Sequence, residues 1–99
     1  MTIFAAFRSR VKTGHDDEFQ RRYRELSLLV ADIPGYLGHK NFIGDDGETC
    51  LIVEFATDDA FEAWDTHPDH KAAKMRGKEA IFETYDVKVG RAFEHHHKP

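Results

Sequence analysis

Polar and apolar residues alternate at the start of the chain. Ile3, Ala5, Phe7, Ser9 and Val11 fall on one side, and Phe4, Ala6, Arg8, Arg10 and Lys12 on the other. A two-residue period sends successive side chains to opposite faces of a strand, so Ile3 to Lys12 is predicted to be one. Gly14 breaks the pattern, and Asp16, Asp17 and Glu18 bring negative charge where a helix N-terminus favours it. From about His15, the residues Phe19, Tyr23, Leu26, Val30 and Ile33 recur at helical spacing, giving a helix with one face for a sheet. Pro34 disfavours helical geometry at Ile33, and Gly35 accepts the left-handed turn that ends the helix there.

Tyr36 to Ile43 and Thr49 to Ala56 are rich in aromatic and β-branched residues and flank Gly44-Asp45-Asp46-Gly47, so they read as a hairpin. Thr57 can cap a short helix with Asp58 and Asp59 in its first turn and Phe61 and Trp64 on its apolar side. Pro68 belongs in a first helical turn, so a further helix is expected to restart there and run to about Ile81. Tyr85, Val87, Val89, Arg91 and Phe93 then alternate with Asp86, Lys88, Gly90, Ala92 and Glu94 as a last strand. The order is β-α-β-β-α-β, the ferredoxin-like α+β motif: a four-stranded antiparallel sheet with its helices on one face. Its bare face needs cover, and two sheets packed about a two-fold axis would supply it.

With 99 residues there is room for a single core, expected over residues 1–94, with 95–99 a tail expected to be disordered. Fourteen Lys and Arg against 18 Asp and Glu give a net charge of -4, and no basic stripe is concentrated anywhere, which argues against nucleic acid. The N-terminal alternation does not resemble a signal peptide, and no apolar run is long enough to span a bilayer; the expectation is a cytoplasmic protein with no membrane partner. Cys50, the single cysteine, sits in the apolar run CLIVEFA and reads as a small hydrophobe.

Three segments carry a family likeness: Pro34-Gly35-Tyr36-Leu37-Gly38-His39, Glu54-Phe55-Ala56-Thr57-Asp58-Asp59-Ala60-Phe61, and Trp64-Asp65-Thr66-His67-Pro68-Asp69-His70 followed by Gly77. In their order and spacing the chain resembles the antibiotic biosynthesis monooxygenase family, the dimeric α/β-barrel proteins that include cofactor-independent quinone-forming oxygenases and haem-degrading enzymes. The resemblance implies a homodimer, a pocket between helices and sheet in each subunit, and a last strand that helps tie the subunits together. Family members that oxidise polyketides use an Asn on the third strand, whereas Leu51 to Phe55 contain none. Haem degraders combine a first-strand Asn, a Trp and a helix His; here Trp64 matches, the first strand has no Asn, and Lys74 stands where that His is expected.

Oxygenation without metal or flavin needs an electron-rich phenol or hydroquinone, a base near neutral pKa, donors for the developing oxyanion and a dry pocket. His39, on the same strand face as Asn41, is the first candidate for the base; a packed or solvent-facing histidine is the ordinary alternative. Trp64 can wall an aromatic substrate, and three residues from Phe61 it can equally be core. Tyr36, Asn41 and Tyr85 could hydrogen-bond a phenolic ligand. Arg91 would bind an oxyanion or reach water at the strand edge. His67 and His70 are spaced for two metal ligands but lack a third, so helix capping at His67 and a solvated first-turn side chain at His70 are the simpler roles, and no metal is assigned. The terminal His95-His96-His97 run reads as a loose polar end or a tag remnant.

The leading reading, implied mainly by the family resemblance, is a cofactor-independent monooxygenase of a small aromatic or polyketide-like hydroquinone or phenol, with His39 as base and Trp64 as wall. One alternative is a non-catalytic dimeric ligand-binding module. Another is a haem-binding or haem-degrading protein, for which His70 is the pocket-side axial candidate.

Overall fold

The computed structural model describes residues 1–99. Strands β1 (Ile3–Val11), β2 (Tyr36–Ile43), β3 (Thr49–Phe55) and β4 (Phe82–Arg91) form one antiparallel sheet in the order β2-β3-β1-β4. Helices α1 (Asp16–Val30), α2 (Asp58–Asp65) and α3 (Pro68–Arg76) complete a ferredoxin-like α+β fold. No helix is long and apolar enough to cross a membrane.

Register decides which side chains meet the helices. Ile3, Ala5, Phe7 and Ser9 of β1 lie opposite Phe55, Val53, Leu51 and Thr49 of β3, and opposite Arg91, Val89, Val87 and Tyr85 of β4. The core sits at one end of this face, where Ile3, Val30, Phe55, Ala60 and Trp64 pack together with Leu26, Ile33 and Phe61 around them. On the other face Phe4, Ala6, Cys50, Ile52 and Phe42 have no helix over them, and Phe42 stays 47% exposed.

Element ends differ from the expectation at the end of α1 and at both ends of β4. Helix α1 stops at Val30 rather than Ile33, and the chain tightens through bonds from Asp32 N–H to the Leu29 carbonyl and from Ile33 N–H to the Val30 carbonyl. The helical segment that starts at Pro68 runs to Ile81 as expected, with its last turn, Gly77–Ile81, wound as a π-helix. The last strand begins at Phe82, three residues early, because β1 extends to Val11 and pairs it with Phe82 across a bulge. The strand ends at Arg91, leaving Phe93 outside it and 94% exposed.

The caps follow the expectation. The Thr57 hydroxyl accepts from Ala60 N–H at 3.1 Å to start α2, and His67 Nδ1 accepts from Asp69 N–H at 3.2 Å to start α3.

Candidate functional site

Between helices and sheet lies a cavity of about 250 Å³, with most of its lining apolar. Its floor is the helix-side row of the sheet, including Ala5, Phe7, Leu51 and Val53. Helix α1 contributes Phe19, Tyr23 and Leu26, which the helical period placed on one face, and also Ser27. Helices α2 and α3 contribute Trp64, Asp65, His70, Ala73 and Lys74. Edge strand β4 closes one flank with Tyr85, Val87 and Val89, which remain about half exposed, so the cavity opens along this strand.

Trp64 is 6% exposed and belongs both to the core and to the cavity wall. The His70 ring stacks on it with centroids 4.3 Å apart and planes 12° apart, and His70 Nδ1 lies 2.9 Å from the Trp64 carbonyl oxygen. A carbonyl only accepts, so Nδ1 carries the hydrogen, and the neutral ring keeps its lone pair on Nε2. Burial pushes His70 below the usual histidine range and outweighs the opposing pull of the Trp64 carbonyl.

His39 and Asn41 both line the cavity from β2. Strict alternation would put Tyr36 and His39 on opposite faces, three residues apart. An irregularity between Tyr36 and Gly38 shifts the register, so Tyr36 lies opposite Phe55 and His39 opposite Val53 on one face. The Tyr36 hydroxyl and His39 Nδ1 are 2.5 Å apart. On the other side of the ring, the Ser27 hydroxyl donates to the Tyr23 carbonyl at 2.8 Å, and its oxygen accepts from His39 Nε2 at a long 3.4 Å. Nε2 then carries the hydrogen and Nδ1 accepts from Tyr36, so both ring nitrogens are engaged. Burial raises Tyr36 above the usual tyrosine range, which keeps its hydroxyl protonated.

Two predicted residues stand off the cavity lining. Tyr36 lies behind His39 as its hydrogen-bond partner. Arg91 is on the helix-side face but forks onto Asp58, with Nη2 to Oδ2 at 2.6 Å, and its guanidinium is out at the surface. The spacing gave no sign of Asp58 as its partner, because the two are 33 residues apart.

Charged side chains also line the cavity. Lys74 Nζ lies 2.7 Å from Asp65 Oδ1 and 3.1 Å from the Asp65 carbonyl oxygen, so Lys74 is held in an ion pair. Arg22 also lines the cavity and is anchored by Glu18, which takes a two-pronged contact from Arg76 as well, at 2.8 and 2.9 Å. Those guanidinium contacts hold the Glu18 carboxyl at about 2. Nowhere do three or more His, Cys, Asp or Glu side chains converge as metal ligands would.

Sequence reasoning missed the part played by Tyr23 and Ser27. Tyr23 was visible only as one of several apolar-face residues on α1, and nothing in the pattern tied either residue to His39.

A model of the family described as "Antibiotic biosynthesis monooxygenase" matches residues 2–76. The uncharacterized protein YqjZ of Bacillus subtilis (strain 168) is 32% identical over 89 residues, spanning 90% of this chain and 75% of that protein. Among solved structures, Rv0793 from Mycobacterium tuberculosis superposes with a TM-score of 0.82 at 11% identity, covering 96% of this chain and 98% of that one. SnoaB, a cofactor-independent oxygenase from Streptomyces nogalater, superposes with a TM-score of 0.76 at 18% identity, covering 95% of each chain. At these identities the structural likeness shows the fold, and the chemistry has to be argued from the cavity.

Proposed function

The chain belongs to the antibiotic biosynthesis monooxygenase family, and from that premise we propose that it is a cofactor-independent monooxygenase of a small phenol or hydroquinone. The observation that carries this reading is the cavity itself: a mostly apolar space for an aromatic ring, with one indole and two imidazoles on its wall. Trp64 and Tyr85 wall the space for the ring, and the Asn41 amide donates to the developing oxyanion. His39, tied to Tyr36 and Ser27, sets the polar end of the pocket.

The substrate is a phenol whose keto tautomer carries a CH2 group. Loss of one proton gives a phenolate, which passes one electron to dioxygen. The carbon radical and superoxide join, and the resulting peroxide takes the proton back. Loss of water from the hydroperoxide then leaves a carbonyl, so CH2 and O2 become C=O and H2O. The protein moves one proton and holds the ring against apolar walls, while the substrate supplies the electrons.

The support for a homodimer is the open sheet face, where Phe4, Ile52, Cys50 and Phe42 form an apolar patch that a second copy would cover. Haem degradation is less well supported, because Lys74 fills the position of the expected histidine and is paired with Asp65.

Oxygen uptake by chelator-treated protein, with a panel of hydroquinones and anthrone-like phenols, tests the reading. The expected result is uptake above the uncatalysed rate, with kcat/KM reduced about tenfold in Trp64→Phe. Uptake no faster than the uncatalysed rate across the panel would sink the oxygenase and leave a ligand-binding module.

A further inference from the structure

We infer that His70 Nε2 is the atom that takes the substrate's proton, and that His39 is a positioning residue; the inference rests on the phenol-oxidising reading above. A proton acceptor needs a lone pair that no protein group occupies, placed where substrate can reach it. His70 meets both conditions. Its Nδ1–H is committed to the Trp64 carbonyl, which leaves the lone pair on Nε2, and Nε2 has no partner in the protein. No unpartnered side-chain nitrogen or oxygen of a buried or half-buried residue is sealed from solvent, and His70 is half-buried, so Nε2 is accessible. The residue lines the cavity, and its ring lies against the indole that would hold an aromatic substrate.

His39 fails the first condition. Its Nδ1 lone pair already accepts the Tyr36 hydroxyl, and its Nε2–H points at Ser27. Taking a substrate proton would require that network to break. The network instead fixes the ring, leaving His70 as the imidazole with a vacant acceptor.

The surroundings of His70 suit the transfer in both directions. Asp65, His67 and Lys74 face it from α2 and α3, with Asp65 and Lys74 neutralising one another, and Arg22 and Lys78 line the same cavity. Burial keeps the free ring unprotonated at neutral pH, ready to accept. In the transfer the phenol O–H bond breaks and an Nε2–H bond forms, giving phenolate and imidazolium with no change in net charge. The new cation rests on the face of Trp64, and its bond to the Trp64 carbonyl becomes charge-assisted. The same proton can then return to the peroxide.

Internal transfer leaves a signature that nearby cations cannot imitate. A phenol bound beside Lys or Arg alone ionises by releasing its proton to water, so its phenolate falls about tenfold for each pH unit below its pKa. A phenol that gives its proton to His70 keeps a constant phenolate fraction between the ionisation of His70 and its own. The probe is 4-hydroxyacetophenone, which dioxygen does not readily oxidise and whose phenolate absorbs beyond the protein's aromatic band.

The expected result is a pH-independent phenolate plateau in the wild type, abolished in both His70→Gln and His70→Asn while the probe still binds. A wild-type signal that falls tenfold per pH unit would overturn the assignment, as would a plateau that survives either His70 substitution. If oxygen uptake persists in that case, the oxygenase stands and only the role of His70 falls. Failure of the probe to bind the wild type would overturn the phenol cavity and this inference together.

Discussion

Gly35 joins α1 to β2 under two constraints, and replacing it with alanine tests both. Its φ of +91° lies where L side chains are strained, at about 1–2 kcal/mol. A Cβ added there would also stand 2.7 Å from the Ala60 Cβ, well inside the roughly 3.5–4.0 Å at which carbons rest in contact. Ala60 is 4% exposed and has no rotamer to escape into, so helix α2 itself must shift, an overpacking cost of about 1–3 kcal/mol. The backbone cannot yield easily either, because the Gly35 carbonyl accepts from Ala56 N–H at 2.7 Å. The two effects add to roughly 2–5 kcal/mol, a fall in Tm of roughly 8–40 °C at 4–8 °C per kcal/mol for a domain of this size. Urea unfolding of Gly35→Ala, Ala60→Gly and the double variant separates them. In the Ala60→Gly background the contact is gone, so Gly35→Ala should cost about 1–2 kcal/mol there, with a coupling of about 1–3 kcal/mol. An equal cost in both backgrounds would refute the close-contact argument, and a cost under about 0.5 kcal/mol would refute the backbone argument too.

Trp64 is the single tryptophan and stacks on His70, so its emission should report the protonation of that ring; we expect quenching on acidification with a midpoint below 6.5, absent in His70→Gln. Because His70 is lowered in the folded state, the unfolded chain takes up the proton first, so His70 contributes stability above the unfolded value that is lost as pH falls through the folded one. Glu18 is lowered from 4.5 to about 2, so its contribution is present above about 4.5 and should disappear as pH drops toward 2; unfolding midpoints of Glu18→Gln should lack that acid-dependent step, and an unchanged step would show the carboxyl is not responsible. Placing a charge on the open sheet face with Ile52→Glu should convert a dimer to monomers in sedimentation equilibrium without loss of helix signal, whereas a wild type that sediments as a monomer would sink the homodimer.

The sequence by itself determined the architecture, because period and punctuation are local. The alternation at Ile3–Val11, the acidic start of α1, the Gly44–Gly47 turn and the Thr57 and Pro68 starts each follow from neighbouring residues, and each is present. It placed His39 and Asn41 on one face and Trp64 on an apolar one for the same reason. The boundary at Phe82 escaped because the strand's start depends on how far β1 reaches, a pairing between residues some seventy positions apart.

The state of the site was decided only by tertiary structure. A β2 irregularity carries Tyr36 to the face of His39, helix α1 brings Ser27 to its other nitrogen, and Asp58 draws Arg91 to the surface. Residue types say that a histidine can accept a proton. Which histidine has a vacant nitrogen depends on hydrogen-bond partners, and those are set by the packing of α1, α2 and α3 against the sheet.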